Sequence, residues 1–402
     1  MPINASFTLE STIGQSLFPI RRGQQTEFAF WDAVQHSSLL SQFSKLQFKR
    51  RLGEGATFLV DLFEDPDDDA SETDNETHPF VAVKTAKVPV GYDGTGGTMK
   101  EVDLYSLLLE IQVLQHDPLV SHPNIIDILG MDWTISETGV QVPRVVVEYA
   151  TYGTLNAFLH DHGKGVGLTT RLEIWSDISM GLEMLHRCQL VHGDMKLLNI
   201  LVFRDSGTGR GVVAKLSDFG GTLTDFDLEP EQIYRGSNGY RAPELTNHLS
   251  MGLAELQKCD IFALGLCFWE ILDNGEPYYK STTGCFGSLS EGRFLDSDLN
   301  CLLSPLSGRI TNPIQPHPKE SIILKHSREF QLAPNLFQVP ISSVVNHLLR
   351  QMLQPNPRQR VAAGTVIVKL ERLMGRNSLN MLTDNGLFVN PLRRSKLPTY
   401  VS

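Results

Sequence analysis

From Ile261 to Leu272, twelve residues run with a single charge, Glu270. A helix this apolar has no polar face to offer water and belongs at the centre of a helical layer. Twelve residues fall short of the roughly 20 that cross a bilayer, so the stretch implies a buried core helix and not a membrane span. Leu172, Trp175, Ile178, Leu182 and Leu185 recur with helical spacing and supply a long neighbour for it. Covering both takes a good deal of further chain. At 402 residues, 41% of them hydrophobic and 20% charged, there is enough for one large two-lobed domain or two ordinary ones, with a substantial core.

The first part of the chain has a different period. Leu46 to Leu52 and Thr57 to Phe63 pattern as two strands around a Gly-containing turn, and Phe80 to Lys84 is a short apolar strand that ends in a lysine. Leu104, Leu107, Leu108, Ile111 and Leu114 then mark a helix, and Val142 to Tyr149 a further strand, cut off at Gly153. Beyond it helices dominate, and the chain returns to helix after Val361. The expected fold class is α+β and bilobal, with a small β-rich lobe over about 46–150 and a larger α-helical lobe over about 151–375. Residues 1–45 form an extension and 376–402 a polar tail. Residues 281–340, rich in Ser, Pro and Gly, are an insertion: a solvated loop is favoured over a partner-binding element.

The formal charge of −11 is concentrated. Eight acids between Glu64 and Glu76, with no Lys or Arg among them, leave the rest of the chain at −3. Residues 64–79 are therefore expected to be a solvated acidic insertion, with docking of a basic partner as the sharper alternative. The balance argues against nucleic acid or an anionic membrane as a broad electrostatic partner. Cys188, Cys259, Cys267, Cys285 and Cys301 are odd in number and form no C-x-x-C pair, the pattern of structural thiols in a reducing compartment. Met1 to Arg22 lacks the apolar core of a secretory signal, and a cytoplasmic or nuclear location is expected.

Gly53-Glu54-Gly55 would let backbone N–H groups approach a polyphosphate, although a Gly-x-Gly turn alone is more often a plain hairpin. It gains meaning from Lys84, because an apolar strand does not end in a buried ammonium unless an anion meets it. Glu110, in the next helix, is the natural counter-ion. The decisive stretch is His192-Gly193-Asp194-Met195-Lys196-Leu197-Leu198-Asn199, with Asp218-Phe219-Gly220 nineteen residues after Asn199 and Ala242-Pro243-Glu244 beyond. In this order the motifs resemble the eukaryotic protein kinases of serine/threonine type, from about Phe48 to about Leu373.

That resemblance implies ATP and Mg²⁺ as cofactors, with Asp194 accepting or orienting the substrate hydroxyl proton and Lys196 stabilising the transferred phosphoryl group. Asn199 and Asp218 would be the metal ligands, while Lys84, held by Glu110, grips the α- and β-phosphates. Leu52, Val60, Ala82 and Leu201 would sandwich adenine with Val147 behind, though plain core packing accounts equally well for apolar residues there. Glu148 to Ala150 would form the hinge. Leu114, Ile128, His192 and Phe219 resemble a stacked spine anchored by Asp260, and Glu244 is expected to pair with Arg360 for structure, not catalysis.

Some positions depart from the family pattern. Phe58 replaces the third loop glycine, where a ring would cap the phosphates. Gly193 stands where most regulated kinases carry the arginine that pairs with a phosphorylated activation loop, so loop phosphorylation should matter less here. Thr222, Thr224, Tyr234 and Ser237 remain as candidate regulatory hydroxyls. His-Gly-Asp also occurs in small-molecule phosphotransferases, but Lys196 and the run Gly236 to Glu244 resemble protein kinases; H-G-D-M-K loops of this kind are similar to those of fungal kinase-like proteins. Lys196 and Ser237 favour serine/threonine acceptors in unidentified protein substrates. A catalytically weak scaffold and a small-molecule phosphotransferase are the alternatives. Asp260 and Arg360 lie 100 residues apart, a surplus that falls in 281–340.

Overall fold

The computed structural model describes residues 43, 45–55, 58–66, 80–87, 101–135, 141–205, 207, 209–224, 234, 236–237, 239–247, 251–277 and 339–375. Most of the expected extension, of the acidic loop and of 281–340, together with the tail, Cys285 and Cys301, lies outside the described residues.

Strands β1 (Gln47–Glu54), β2 (Phe58–Glu64), β3 (Phe80–Ala86), β4 (Ile128–Ile135) and β5 (Gln141–Glu148) form one antiparallel sheet in the order β1-β2-β3-β5-β4. Its two faces follow from the period of two. Val81 and Val83 of β3 and Val146 of β5 are buried on one face beneath Phe43, Leu46 and Phe63. Ala82 and Lys84 point the other way. There Val60 pairs across from Lys84 on one side and Val145 on the other, and Val147 lies opposite Ala82. This second face packs towards α1 (Glu101–Leu114), whose Leu107, Leu108 and Ile111 are buried in the main core.

The helical part contains α2 (Leu155–His162), α3 (Leu168–Arg187), α4 (Leu253–Leu272), α5 (Val339–Met352) and α6 (Ala363–Leu373), with a hairpin of β6 (Ile200–Asp205) and β7 (Gly211–Leu216) at its edge. Helix α4 is the expected centre: every side chain from Cys259 to Ile271 is buried, and Phe268 stacks on Trp175 of α3. The helix starts earlier than its apolar run, at Leu253, because the half-buried Gln257 and Lys258 reach neighbouring backbone carbonyls. The described cysteines Cys188, Cys259 and Cys267 are buried free thiols. No helix of the described residues is long and apolar enough to cross a membrane.

Two elements differ from the sequence expectation. Strand β4 carries Gly130 and Asp132 in its interior, residues that strands disfavour, and Asp132 is accommodated by Arg144 of β5. Helix α5 begins at Val339, inside what the composition marks as insertion. Its Pro340 stands in the first turn, where a missing N–H removes no helical hydrogen bond.

Candidate active site

Lys84 places its ammonium 2.6 Å from both carboxylate oxygens of Glu110, whose side chain is fully buried, and 3.4 Å from Asp218 Oδ1. Burial works against the charged lysine, but Glu110 and Asp218 outweigh it and hold Lys84 above the usual lysine range. The Phe58 ring does not lie over the turn as a cap. It is buried in the core on the same sheet face as Lys84, whose Nζ lies over the ring, 5.2 Å from its centroid.

Asp218 adopts a left-handed backbone (φ 65°), a conformation costing about 1–3 kcal/mol in a non-glycine residue and kept only where neighbours dictate it. Phe219 beside it is fully buried, with its ring 5.3 Å from that of His192. Gly220 comes so near α1 that an added Cβ would lie 3.2 Å from Ser106. The close approach couples the helix that carries Glu110 to the turn that carries Asp218. The Asp218 side chain remains 46% exposed, so an anchored turn presents a carboxylate to whatever enters.

The catalytic-loop candidates converge a short way off. Asp194 Oδ2 is 2.5 Å from Lys196 Nζ, and Asp194 Oδ1 accepts from the Ser237 N–H at 2.7 Å. Lys196 also donates to Ser237 Oγ at 2.9 Å. Asn199 Nδ2 donates to Asp194 O (2.8 Å) and Oδ2 (3.1 Å), leaving its amide oxygen as the acceptor it can offer elsewhere. Burial disfavours the Asp194 carboxylate, but Lys196, Ser237 and His192 prevail and hold it below the usual carboxylate range. Asp260, fully buried on α4, anchors the loop by accepting from the His192 N–H (2.8 Å) and the Gly193 N–H (3.1 Å). Glu244 and Arg360 pair as expected, at 2.7 Å through Arg360 Nη2.

The remaining expected positions divide. Gly53 lies in the last residues of β1, opposite Val60, and Gly55 follows the strand, where its N–H donates to Phe58 O at 2.8 Å. Leu52, Val60 and Leu201 are half-buried against the main core, and Ala82, Val147 and Ala150 are buried. Glu54 is turned to Lys87, at 2.6 Å, which lowers its pKa. Glu148 turns its carboxylate away from the sheet face that carries Lys84, to Lys215 Nζ (2.5 Å) and the Asp127 N–H (2.8 Å), leaving backbone as its contribution to a hinge. Lys215 escaped the sequence reading, although the signal that found Lys84, a lone ammonium in an apolar strand, is present in β7 too.

This arrangement fits a phosphorylated nucleotide and a hard divalent cation. Asp218 and Asn199 provide two oxygen donors, and among the described residues no group of three or more His, Cys, Asp or Glu would hold a metal without further ligands. A cation of that kind completes its shell with phosphate and water.

Comparison with known proteins agrees with the geometry. The chain matches the family model described as the protein kinase domain over residues 70–369. A probable LIM domain-containing serine/threonine-protein kinase of Dictyostelium discoideum is 34% identical over 134 residues, 33% of this chain and 19% of that protein. The serine/threonine-protein kinase STY17 of Arabidopsis thaliana is 24% identical over 237 residues, 58% of this chain and 36% of that one. The mitogen-activated protein kinase kinase kinase 7 of Drosophila melanogaster is 32% identical over 163 residues, 40% and 22% of the two chains. The chain thus spans about a fifth to a third of the length of these relatives. With the family match running from the acidic loop into α6 and enclosing Lys84, Glu110, Asp194, Asn199 and Asp218, the chain belongs to the protein kinase family.

Proposed function

We propose that the chain is an active kinase that transfers the γ-phosphate of ATP to serine or threonine hydroxyls of protein substrates. The observation that carries this reading is that both halves of the charge set are assembled at once. Lys84 is closed onto Glu110 and within 3.4 Å of Asp218, while Lys196 bridges Asp194 and Ser237. Nothing in this set has to move far to meet a triphosphate.

In the reaction the acceptor oxygen attacks the γ-phosphorus and the bond to the β–γ bridging oxygen breaks. ADP leaves with that electron pair, and the hydroxyl proton passes to Asp194. Lys196 keeps that carboxylate ionised, and so able to accept or orient the proton. Lys196 stands beside Asp194 to neutralise charge on the group in flight, and Lys84, held by Glu110, grips the α- and β-phosphates. Asp218 and Asn199 would hold Mg²⁺, which would supply positive charge against that of the phosphates. The hydrogen bond from Lys196 to Ser237 shapes the place where the acceptor enters and supports the serine/threonine assignment.

Phosphate transfer from γ-labelled ATP with Mg²⁺ tests this, comparing wild type with Asp194→Ala and Asp218→Ala, followed by analysis of the phosphorylated residue type. Label on serine or threonine that both substitutions abolish is the expected result, because residues acting as a unit fail together. ATP binding without any transfer to protein would sink the reading.

A further inference from the structure

Tyr234 belongs to the segment between Asp218 and Glu244, and its hydroxyl donates to Asp260 Oδ1 at 2.9 Å. Asp260 is the same buried carboxylate that accepts the His192 and Gly193 N–H groups, with His186 Nε2 3.0 Å from its Oδ2. One side chain of α4 therefore fixes both the loop that carries Asp194 and the segment that faces it. Further ties cluster within three residues of Tyr234. The Gly236 N–H donates to Gly193 O at 3.0 Å, and Ser237 is bound to Asp194 and Lys196 as described above.

We propose that Tyr234 is a positioning residue: its hydroxyl latches Tyr234, Gly236 and Ser237 onto the catalytic loop through Asp260, and no phosphate is needed to hold them there. This rests on the kinase reading for its effect on activity, but not for the latch itself.

Position 193 argues for a latch of this kind. It offers no guanidinium to a phosphate, and its backbone leaves no space for one. Gly193 has φ 80°, and an added Cβ would lie 2.4 Å from Gly221 O. The hydroxyls of Thr222, Thr224 and Tyr234 are on buried residues, so the docked segment shows none of them to a modifying enzyme. Tyr234 also stays a donor, since burial and then the Asp260 charge push its phenol well above the ordinary tyrosine range. A hydroxyl bonded to a buried carboxylate is among the stronger uncharged-donor bonds available.

The test uses the full chain with Tyr234→Phe, which keeps the ring and removes one oxygen. Peptide-resolved hydrogen exchange should show amides of Gly236 and Ser237 opening about tenfold more often, the change expected on losing one hydrogen bond to a charged acceptor. Amides of α4 should be unchanged. In phosphate transfer kcat should fall while KM for ATP holds, because Lys84 and Glu110 are untouched, and phosphatase treatment of wild type should cost no activity. Exchange at Gly236 and Ser237 within twofold of wild type overturns the latch, as does acceleration spread equally over α4. Loss of wild-type activity on phosphatase treatment overturns its independence from phosphate. A wild type that transfers no phosphate would sink the kinase reading alone, and the exchange result would still decide the latch.

Discussion

Replacing Asp260 by Asn tests how much of the site depends on one buried carboxylate. The substitution keeps the shape and removes one acceptor and the charge. In the wild type Oδ1 faces the Gly193 N–H and the Tyr234 hydroxyl, while Oδ2 faces the His192 N–H and the His186 ring. A carboxamide has one oxygen, so its NH₂ must occupy one of these two places. The tyrosine hydroxyl can turn its lone pairs to an NH₂, and an imidazole can present its unprotonated nitrogen. A backbone N–H can do neither. Whichever way the amide flips, one N–H, of His192 or of Gly193, faces another donor in a site with no exposure to water. That orphan costs about 1–3 kcal/mol, and the two bonds kept by the remaining oxygen lose about 1 kcal/mol each on becoming neutral. The expected sum is about 3–5 kcal/mol, a large part of the 5–15 kcal/mol that holds a typical protein folded.

Urea unfolding followed by tryptophan fluorescence would measure it, with the slope unchanged and the midpoint lowered accordingly. Asp161→Asn, on an exposed residue of α2, serves as the control and should move stability by less than about 0.5 kcal/mol. If Asp260→Asn costs under about 1 kcal/mol, the four contacts do not converge on a charged acceptor and the reasoning fails, for the catalytic loop and for Tyr234 alike.

Three further outcomes follow from the same contacts. Glu110→Gln removes the stronger of the two partners that keep Lys84 charged and should lower kcat/KM about a hundredfold in phosphate transfer, the scale on which loss of one preorganised electrostatic group acts; full activity would refute the role of the pair. Arg360→Leu leaves Glu244 without its partner and the carbonyls of Gln354 and Pro355 without their donor; a loss of about 3–5 kcal/mol is expected in urea unfolding. Asp194 must be ionised to act, and its depressed pKa keeps wild-type activity, and its share of stability, intact until pH falls below the usual carboxylate range. Lys196→Met leaves burial to raise that pKa, so the acid limb of the kcat profile should move to higher pH; a lower but unshifted profile would refute this.

Sequence and structure agree most closely where charge conflicts with its local surroundings. Lys84 was legible because an ammonium in an apolar strand demands a carboxylate, and Glu110 stood at helical spacing in the next element. Helix α4 was legible because no polar face interrupts it, yet its first turns were not, since Gln257 and Lys258 look solvated in sequence and are bonded to His186 and Arg360 in space. Strand β4 was hidden for a related reason: Asp132 breaks the local pattern, and its partner Arg144 is twelve residues away on β5. Tyr234 shows the converse failure. A hydroxyl in a segment rich in acids suggests a phosphorylation site, but its burial against Asp260 depends on a helix that follows it in the chain.

Buried carboxylates organise much of this molecule, and their surroundings separate structural from chemical roles. Burying such a group is tolerated only where donors converge on it. Asp177 of α3 meets that demand wholly from within, by Arg210 at 2.8 and 3.0 Å and the Ala214 N–H at 3.0 Å, and ties α3 to β7 with nothing left to act. Glu110 meets it with a single lysine that also lies 3.4 Å from the half-exposed Asp218. There the paired charge has an outlet to solvent, and an incoming anion can share the ammonium with the two carboxylates. Asp260 falls between these cases: it touches nothing that reacts, but the backbone it holds carries the groups that would. Removing Asp177 should therefore cost stability, removing Glu110 should cost turnover, and removing Asp260 should cost both.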